Sequence, residues 1–485
     1  MQSEISALAR EHLERVRAFY DAAPTEPQAG ASAYRALLAH YYNLLIPADA
    51  SVLEIGCGSG ELLSHIRAHR KVGVDLAPAQ IEAARRRVPG AQFHVQAGEL
   101  LDLDGADHAV GTSAPREKFD VIIISDTLNL AADVQRLFER LHSVSHADTR
   151  LIVNFQNTLW RPLLSLARAM GLKAAQPQNS WLASSDVLNL LRLAGWSTVC
   201  KHGRILMPFR ALGIGTFINR WLAPFFQWFC LTVFFVARRD QIGGARELSV
   251  SVIIPARNEA GNIPAAVART PELGAGTEII FVEGHSRDNT WAEIQRVAAE
   301  NPQRKIKILQ QSGKGKGEAV RAGFAVATGD VLMILDADLT MPPEELPKFY
   351  DVIASGRAEF ANGVRLVYPM DEKAMQFLNL CANKAFGLIF TWLLGQPVKD
   401  TLCGTKVLTR AHYDRIAGNR AYFGDFDPFG DFDLLFGAAR LNLKIADVPI
   451  RYRERTYGTT NIQRWRHGML LLRMVWFAAR KLKFV

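Results

Sequence analysis

Hydrophobic positions in this 485-residue chain follow two alternating patterns. Short runs rich in β-branched residues, such as those at 52–55 and 331–335, are separated by longer stretches in which apolar residues recur every three or four positions. The short runs predict buried strands, and the longer period predicts amphipathic helices. Their regular alternation is typical of an α/β fold built on a mainly parallel sheet.

Two strand-then-glycine openings, at 51–60 and 248–262, divide the chain. A polar, glycine-containing segment precedes the second opening, and such segments are typical of linkers. We therefore predict two tandem Rossmann-like domains, one at 1–240 and one at 249–485, with a linker at 241–248. The length of the chain is sufficient for two domains of this size.

Composition and charge narrow the class of protein. Hydrophobic residues make up 49% of the chain and charged residues 22%, which is ordinary for a folded globular protein. The five cysteines include no closely spaced pair, so we expect neither a disulfide framework nor a zinc site, and a reducing cytoplasm is favoured. The N-terminal stretch carries charges of both signs, and we expect an amphipathic helix there instead of a secretory signal. The net charge of +9 suits anionic or phosphorylated partners.

The first glycine-rich turn predicts a nucleotide-containing ligand. The strand at 52–55 leads into Gly56, Gly58 and Gly60, and glycines let a ligand approach bare backbone at a helix N-terminus. The next strand ends at Asp75, where a carboxylate can accept hydrogen bonds from ribose hydroxyls. The G-x-G-x-G spacing differs from the G-x-G-x-x-G of dinucleotide sites, which disfavours NAD. A tight structural turn without a ligand is the alternative.

The run from Glu54 to Gly60, together with Asp75, resembles motif I and the ribose-binding acid of class I S-adenosylmethionine-dependent methyltransferases. The segment 119–126 resembles the fourth strand of that family, and the resemblance covers residues 35–240. It implies S-adenosylmethionine as the cofactor of this half. The cofactor contacts that the resemblance implies are Glu54, Gly56 and Gly58 around the methionine moiety, Asp75 and Leu76 at the ribose and adenine, and Glu99 at the adenine amine, with Gly60 as a further cofactor-binding residue of the turn.

The apolar stretch at 221–237 has two interpretations. It could be a membrane segment, or it could be a helix and a strand that complete the first sheet, because a central strand buried on both faces is continuously hydrophobic. Pro224 and Gln227 interrupt the stretch, and two arginines follow it. These polar and helix-breaking residues favour the second interpretation.

In the second half, two carboxylates follow a buried strand directly. Asp336 and Asp338 come after the run at 331–335, and side chains at i and i+2 of an extended segment point the same way. Like charges so close together repel unless a cation neutralises them, and ligands that are all oxygens favour Mg²⁺ or Mn²⁺ bridging phosphates. The pair therefore predicts a metal–phosphate site, with two solvated loop aspartates as the alternative.

Two upstream segments extend this pattern. Residues 255–259 (PARNE) follow the first strand of this half, and residues 283–290 (EGHSRDNT) follow the second. With the aspartate pair, they resemble the family-two nucleotide-diphosphosugar glycosyltransferases, which have a GT-A fold. The resemblance implies a GDP- or UDP-sugar as the donor.

The segments at 314–317, 363–365, 400–406 and 447–458 resemble, in order, motifs of dolichol-phosphate mannose synthase and its bacterial polyprenyl-phosphate relatives. This resemblance spans 249–485 and implies metal-dependent, inverting transfer of a sugar to a polyprenyl phosphate. The roles it implies are catalysis for Asp336, Asp338 and Asp433, metal binding for Asp336 and Asp338, donor binding for Pro255, Arg257, Glu259, Glu283, Lys314, Lys316 and Arg455, and acceptor-phosphate binding for Arg365 and Lys406.

Two stretches bear on membrane attachment. The charge-free run at 385–398 is too short to span a bilayer. The stretch at 468–485 is apolar, aromatic and basic, which is typical of a helix lying at an anionic surface. We expect a cytoplasmic protein attached peripherally to the inner face of the cell membrane, with packed core helices as the alternative.

We therefore expect a bifunctional transferase of cell-envelope glycan or glycolipid synthesis. One alternative is a different lipid-linked or saccharide acceptor for the sugar. Another is that the first half is a degenerate, regulatory methyltransferase-like module. A nucleic-acid partner is disfavoured, because the basic residues cluster beside an apolar helix instead of along a polar groove.

Overall fold

The computed structural model describes residues 6–26, 29–103, 118–170, 177, 182–209, 213–241, 246–368, 377–422, 430–453, 455, 457 and 464–485. The chain forms two compact units, Met1–Asp240 and Gln241–Val485. Residues 242–245 of the predicted linker lie outside the described residues, so its bounds stay a prediction.

The first unit is built on a mixed sheet with seven described strands in the order β3-β2-β1-β4-β5-β7-β6. Its strands are β1 (Ser51–Ile55), β2 (Arg70–Asp75), β3 (Gln92–Val95), β4 (Phe119–Ser125), β5 (Ser145–Gln156), β6 (Trp196–Arg204) and β7 (Thr232–Arg239). Strands β1 to β5 pair in parallel, whereas β7 runs antiparallel to both of its neighbours. The described helices of this unit are α1 (Ala7–Ala22), α2 (Ala29–Leu45), α3 (Glu61–His65), α4 (Pro78–Arg87), α5 (Val134–Arg140), α6 (Arg161–Ala169), α7 (Ser184–Leu193) and α8 (Ile214–Phe217).

The second unit also has a mixed sheet with seven described strands, in the order β10-β9-β8-β11-β13-β12-β14. Its strands are β8 (Val250–Ala256), β9 (Thr277–Glu283), β10 (Lys305–Gln310), β11 (Val331–Ile334), β12 (Phe360–Val364), β13 (Lys406–Thr409) and β14 (Ile445–Pro449). Strand β13 runs antiparallel to β11 and β12. The described helices are α9 (Ile263–Arg269), α10 (Thr290–Glu300), α11 (Lys316–Val326), α12 (Leu346–Ala354), α13 (Phe377–Leu394), α14 (Arg410–Gly418), α15 (Asp431–Arg440) and α16 (Arg464–Leu482).

The two sheets confirm the predicted α/β fold class. The apolar runs form buried central strands, because helices cover both faces of each sheet. The run at 52–55 lies within β1, and the run at 331–335 forms β11, which ends one residue earlier, at Ile334. All four residues of β11 are buried. Parallel strands end at a common edge, and in each unit the residues with candidate chemistry follow strand ends at that edge.

The apolar stretch at 221–237 divides into two parts. Its second part lies in β7, which is buried between β5 and β6 as the sheet interpretation predicts. Its first part exposes large aromatic side chains, since Phe225 is 60% exposed and Trp228 is 68% exposed. Both parts are rich in aromatic and aliphatic residues, so hydrophobicity by itself does not show which part is buried.

The two predicted membrane-facing segments are helical. The run at 385–398 lies largely in α13, which begins earlier than the charge-free run, at Phe377. Helix α16 packs on α13 and leaves Leu472 and Trp476 about half exposed, at 50% and 52%. No helix in the described part of the chain is long and apolar enough to cross a membrane.

Candidate functional sites

The turn after β1 combines a tight contact with an open space. Gly56, Gly58 and Gly60 all have positive φ angles, of 73°, 49° and 71°. A Cβ atom on Gly56 would overlap the side chain of Thr127, whereas a Cβ on Gly58 would meet nothing within 4 Å. Gly56 is therefore required for packing, and Gly58 presents its backbone to a space in which a ligand could lie.

Asp75 at the end of β2 connects this turn to the next helix. Its Oδ2 accepts a hydrogen bond from the Gly58 N–H at 2.8 Å, and its Oδ1 accepts one from the Ala77 N–H at 2.9 Å. Burial raises the pKa of Asp75, although these backbone N–H groups act in the opposite direction. Leu76 follows directly and is half-buried. The carboxylate thus borders the open space beside Gly58, as a ribose-binding acid would.

Glu54 lies beneath the turn and has an unsatisfied acceptor. Its side chain is only 1% exposed, and its Oε2 has no hydrogen-bond partner among the described residues. Burial and the nearby Asp75 raise the pKa of Glu54 to about 8, although Arg35 acts in the opposite direction. A buried oxygen without a donor is costly, and a cationic ammonium group would satisfy it. These features fit the amino group and the ribose of S-adenosylmethionine.

The raised pKa of Glu54 predicts a pH dependence of stability. Between its usual pKa and about 8, folded Glu54 binds more protons than unfolded Glu54, so the free energy of unfolding should fall as pH rises through this window. We expect the melting transition of the first unit, followed by differential scanning calorimetry of the full chain, to move down from pH 5 to pH 8. Glu54→Gln, which has no titration in this range, should flatten that dependence, whereas Glu82→Gln on the exposed face of α4 should not. An unchanged slope in Glu54→Gln would contradict the assigned pKa.

Helix α2 contributes side chains that sequence reasoning missed. Tyr42 donates a hydrogen bond to Asn154 Oδ1 at 2.6 Å, and Asn154 Nδ2 donates one to Asp126 Oδ1 at 2.9 Å. Asp126 and Glu54 raise the pKa of Arg35, although burial acts in the opposite direction. The available signal was the Tyr and Arg content of the segment directly before β1.

Glu99 already has a partner within the protein. It is 4% exposed, and its Oε1 accepts a hydrogen bond from the Ala132 N–H at 2.8 Å. Burial raises its pKa, although backbone N–H groups act in the opposite direction. The contact holds the loop after β3 against the loop before α5, and the proposed adenine contact stays a prediction.

The aspartate pair after β11 faces two cationic side chains. Lys316 Nζ lies 2.6 Å from Asp336 Oδ1, and Arg455 Nη2 lies 2.6 Å from Asp338 Oδ2. Thr340 Oγ1 donates to the other oxygen of Asp338 at 2.9 Å. Burial alone would raise the pKa of Asp336, but Lys316 lowers it below its usual value. Lys316 therefore holds the Asp336 carboxylate in the charged form.

Arg455 joins this pair to the end of β8. Its Nη1 donates to Glu259 Oε1 at 3.0 Å, so one guanidinium contacts carboxylates from two different loops. Asn262 donates to the other oxygen of Glu259 at 2.7 Å. Burial and the nearby Asp338 raise the pKa of Glu259, whereas Arg455 lowers it. Glu259 thus orients Arg455 toward Asp338.

The remaining predicted donor residues follow neighbouring strand ends. Glu283, at the end of β9, is 1% exposed and accepts hydrogen bonds from the Ser286 N–H and from Gln310 Nε2. Burial alone would raise its pKa, but these donors lower it. Pro255 lies in β8 and is half-buried. Arg257 and Lys314 are exposed at the same edge of the sheet.

The predicted acceptor residues form a second cationic group. Arg365 donates from Nε and Nη2 to the two oxygens of Asp400 at 2.7 and 2.9 Å, and Asp400 is fully buried. Lys406 is also fully buried and donates to the Cys403 carbonyl. Both cations lower the pKa of Asp336, so they lie near the aspartate pair. Asp400, which was not assigned a role, holds Arg365 in place.

Asp433 pairs with an arginine of the second unit. On α15, its Oδ2 accepts a hydrogen bond from Arg420 Nε at 2.8 Å. Gly430 at the start of α15 contacts Gly317 of α11, since a Cβ on Gly430 would lie 2.6 Å from the Gly317 Cα. The segment at 423–429, which precedes this contact, lies outside the described residues. The catalytic role of Asp433 stays a prediction.

The donor atoms of the aspartate pair fit a hard divalent cation. Both candidate ligands are carboxylates, and the Asp336 side chain is 32% exposed. A hard cation needs six oxygen ligands, so substrate phosphates and water would supply the remainder. Lys316 and Arg455 supply further positive charge beside the two carboxylates.

Gly404 provides a steric test of this arrangement. A Cβ atom at this position would overlap Asp336 Oδ2 and Lys316 Nζ. Gly404→Ala should therefore displace the pair and slow turnover of the second unit about a hundredfold, because displacements near 1 Å can cost that much. Gly418→Ala on α14 is the matched control, since a Cβ there meets nothing within 4 Å. The rates are measured as product formed per minute. Equal rates for the two variants would show that turnover does not depend on the position of Asp336.

Two family models match the chain. A model described as Methyltransferase domain matches residues 53–151, and a model described as Glycosyl transferase family 2 matches residues 251–417. These matches agree with both resemblances noted in the sequence. The first falls on the strands around the Gly58 turn, and the second contains the aspartate pair.

Curated relatives match about 44% of the chain. Dolichol-phosphate mannosyltransferase of Pyrococcus furiosus is 38% identical over 225 residues, which are 44% of this chain and 60% of that protein. Undecaprenyl-phosphate 4-deoxy-4-formamido-L-arabinose transferase of Pectobacterium carotovorum is 40% identical over 217 residues, which are 44% of this chain and 62% of that protein. The chain thus spans about 60% of the length of these relatives.

Among solved structures, glucosyl-3-phosphoglycerate synthase of Mycobacterium tuberculosis is similar, with 19% identity and a TM-score of 0.35. The match covers 49% of this chain and 80% of that one. One family match falls in each unit: the match to the Methyltransferase domain model lies within the first unit, and the match to the Glycosyl transferase family 2 model lies within the second.

Proposed function

We propose that the second unit transfers a sugar from a GDP- or UDP-sugar to a polyprenyl phosphate, with inversion at the anomeric carbon. The observation that carries this proposal is the pairing of Asp336 and Asp338 with Lys316 and Arg455 at one edge of the sheet. The names of the dolichol-phosphate and undecaprenyl-phosphate relatives support a lipid-phosphate acceptor.

The proposed reaction does not require an enzymic base. A phosphate oxygen of the acceptor is already an anion near neutral pH, so it can attack the anomeric carbon directly. Arg455 and Lys316 stabilise the charge that develops on the departing nucleoside diphosphate. Asp336 and Asp338 would hold Mg²⁺ or Mn²⁺, which neutralises diphosphate charge when bound. If the acceptor were instead a hydroxyl group, Asp433 would act as the base; otherwise it orients the donor.

Arg365 and Lys406 bind the acceptor phosphate in this proposal. An arginine carries five N–H donors, and Asp400 receives two of them from the Arg365 side chain. The ion pair fixes the guanidinium plane, which lowers the entropy lost on binding phosphate. Positioning of the two reactants, with charge stabilisation, then accounts for catalysis.

We propose that the first unit binds S-adenosylmethionine and methylates a component of the same glycan or glycolipid pathway. S-adenosylmethionine, when bound, supplies an activated methyl group. Glu54 would bind its ammonium group, Asp75 its ribose hydroxyls, and the Gly58 backbone would border it. The unsatisfied oxygen of Glu54 and the open space beside Gly58 support this assignment.

We further propose peripheral attachment to the inner face of the membrane through α16. One face of this helix packs with Leu471 and Met474 buried, while Leu472 and Trp476 are exposed. Arg473 and the basic C-terminal turn accompany the exposed face. Such a helix can lie in the interface of an anionic bilayer.

Incubation of the full chain with polyprenyl phosphate, Mg²⁺ or Mn²⁺ and a panel of GDP- and UDP-sugars tests the proposed sugar transfer. Mass spectrometry of the lipid fraction should show one sugar added to the lipid phosphate for one donor of the panel. Transfer only to a lipid-linked saccharide or a free saccharide would replace the proposed acceptor. The absence of sugar transfer to any acceptor would contradict the proposed activity.

A further inference from the structure

The first unit exposes two groups of apolar side chains, one in the segment after β5 and one in the segment before β7. Helix α6, all of whose residues are described, has no buried side chain. Its Leu163 and Leu166 are 56% and 54% exposed. Together with Leu159 and Met170, which are also exposed, they recur at the spacing of one helical face.

A second element completes this surface. Phe225 and Trp228 are 60% and 68% exposed on the loop before β7. Trp160 Nε1 donates to the Phe229 carbonyl at 2.8 Å, and Asn157 Nδ2 donates to the Trp228 carbonyl at 2.9 Å. These contacts hold the loop beside the start of α6. We call the exposed apolar side chains of 159–170 and 214–229 the apolar surface.

Charge indicates what would cover the apolar surface. Residues 159–170 and 214–229 contain three arginines, Arg161, Arg168 and Arg220, and no acid. Arg161 and Arg220 are exposed within it, on α6 and beside Trp221. Large exposed patches with aromatic and leucine side chains mark interaction sites, and basic residues among them match anionic lipid headgroups. Exposed tryptophan is typical of membrane interfaces.

We propose that the apolar surface binds the anionic face of a lipid bilayer, so that the first unit has a membrane contact of its own, separate from α16. The strand that follows this surface contacts helix α2, which also carries Arg35, a charged neighbour of Glu54. Thr232, three residues after Phe229, lies 3.0 Å from the Tyr34 hydroxyl, and Asp126 raises the pKa of Tyr34 together with burial. A bound bilayer would thus present amphipathic molecules beside the cofactor site. That consequence rests on the proposed methyl transfer, whereas the lipid binding does not.

Vesicle binding of the full chain tests the proposal. In sedimentation with mixed phosphatidylcholine and phosphatidylglycerol vesicles, the double variant Phe225→Ser/Trp228→Ser should lower the partition coefficient at least about tenfold. Arg161→Ala/Arg220→Ala should lower it about tenfold at low salt and less at high salt. The matched control Leu8→Ser/Leu193→Ser removes exposed leucines from α1 and α7, at 79% and 54% exposure, and should not change binding.

A local measurement separates this surface from α16. Brominated lipids quench tryptophan fluorescence on contact, so wild type should lose more fluorescence than Trp228→Phe by the contribution of one tryptophan. Equal quenching of the two proteins, or unchanged partitioning of the Phe225/Trp228 double variant, would overturn the proposal. A concentration-dependent dimer in light scattering that this double variant abolishes, with unchanged vesicle binding, would assign the surface to a second copy of the chain instead.

Discussion

Replacing Asp338 by Asn should lower the rate of sugar transfer at least about a thousandfold, which corresponds to about 4 kcal/mol of transition-state stabilisation. Asparagine keeps the size of the side chain and can still accept from Thr340, but it removes the charge that faces Arg455. It also removes one of the two carboxylates proposed for the divalent cation. The rate is measured as glycolipid formed per minute by mass spectrometry.

Chelation provides the matching experiment on wild-type protein. A chelator should lower the rate to the level of Asp338→Asn, and added Mn²⁺ or Mg²⁺ should restore it. Glu293→Gln is the control, because Glu293 also pairs with an arginine, Arg296 at 2.5 Å, but on the exposed face of α10. Full activity in chelator would exclude the metal assignment, and full activity of Asp338→Asn would exclude the aspartate pair as the site.

The strands and the residues that end them were predictable from sequence. Four-residue apolar runs such as β11 are buried because both faces are covered, and this burial is visible as an unbroken apolar pattern. Gly58 lies three residues after β1 and Asp75 is the last residue of β2, so their places at the sheet edge follow from chain direction alone. Local pattern therefore locates the residues that lie within a few positions of a parallel strand.

Contacts between distant segments were not predictable. Arg365 and Asp400 are 35 positions apart, and nothing in either segment indicates a bidentate ion pair. Arg35 acts on Glu54 and Asp126 from a helix that precedes the whole sheet. A side chain on a helix faces one of several neighbours, and only tertiary packing selects which one. The sequence therefore indicates which groups are present at the site, and the structure shows how they are paired.

Hydrophobicity also failed to distinguish core from surface in one stretch. Val233 and Phe235 of β7 are 2% and 0% exposed, while Phe225 and Trp228 a few positions earlier are largely exposed. The difference arises from backbone pairing, since β7 lies between β5 and β6 and the preceding loop lies beyond their ends. Apolar side chains thus pack in the core along β7, whereas in the preceding loop they form a candidate lipid contact.

Replacing Asp75 by Ala should weaken S-adenosylmethionine binding at least about a hundredfold. A carboxylate at the end of β2 can accept hydrogen bonds from both ribose hydroxyls, and charge-assisted hydrogen bonds contribute about 1.5 to 3 kcal/mol each. The substitution also removes the acceptor of the Gly58 N–H, which holds the turn beside the proposed cofactor. Isothermal titration calorimetry of the full chain measures the dissociation constant.

Asp186→Ala is the control for this substitution, because Asp186 also accepts a backbone hydrogen bond, from the Ala183 N–H at 2.8 Å, but at the start of α7. It should bind the cofactor as wild type does and should lose only the small stability of a helix cap. If Asp75→Ala binds as tightly as Asp186→Ala, the ribose contacts lie elsewhere. If folded wild-type protein does not bind S-adenosylmethionine, the unsatisfied oxygen of Glu54 serves another ligand, and the first unit is a regulatory module. Sugar transfer should be unchanged in both variants, because each substitution removes carboxylate contacts within the first unit alone.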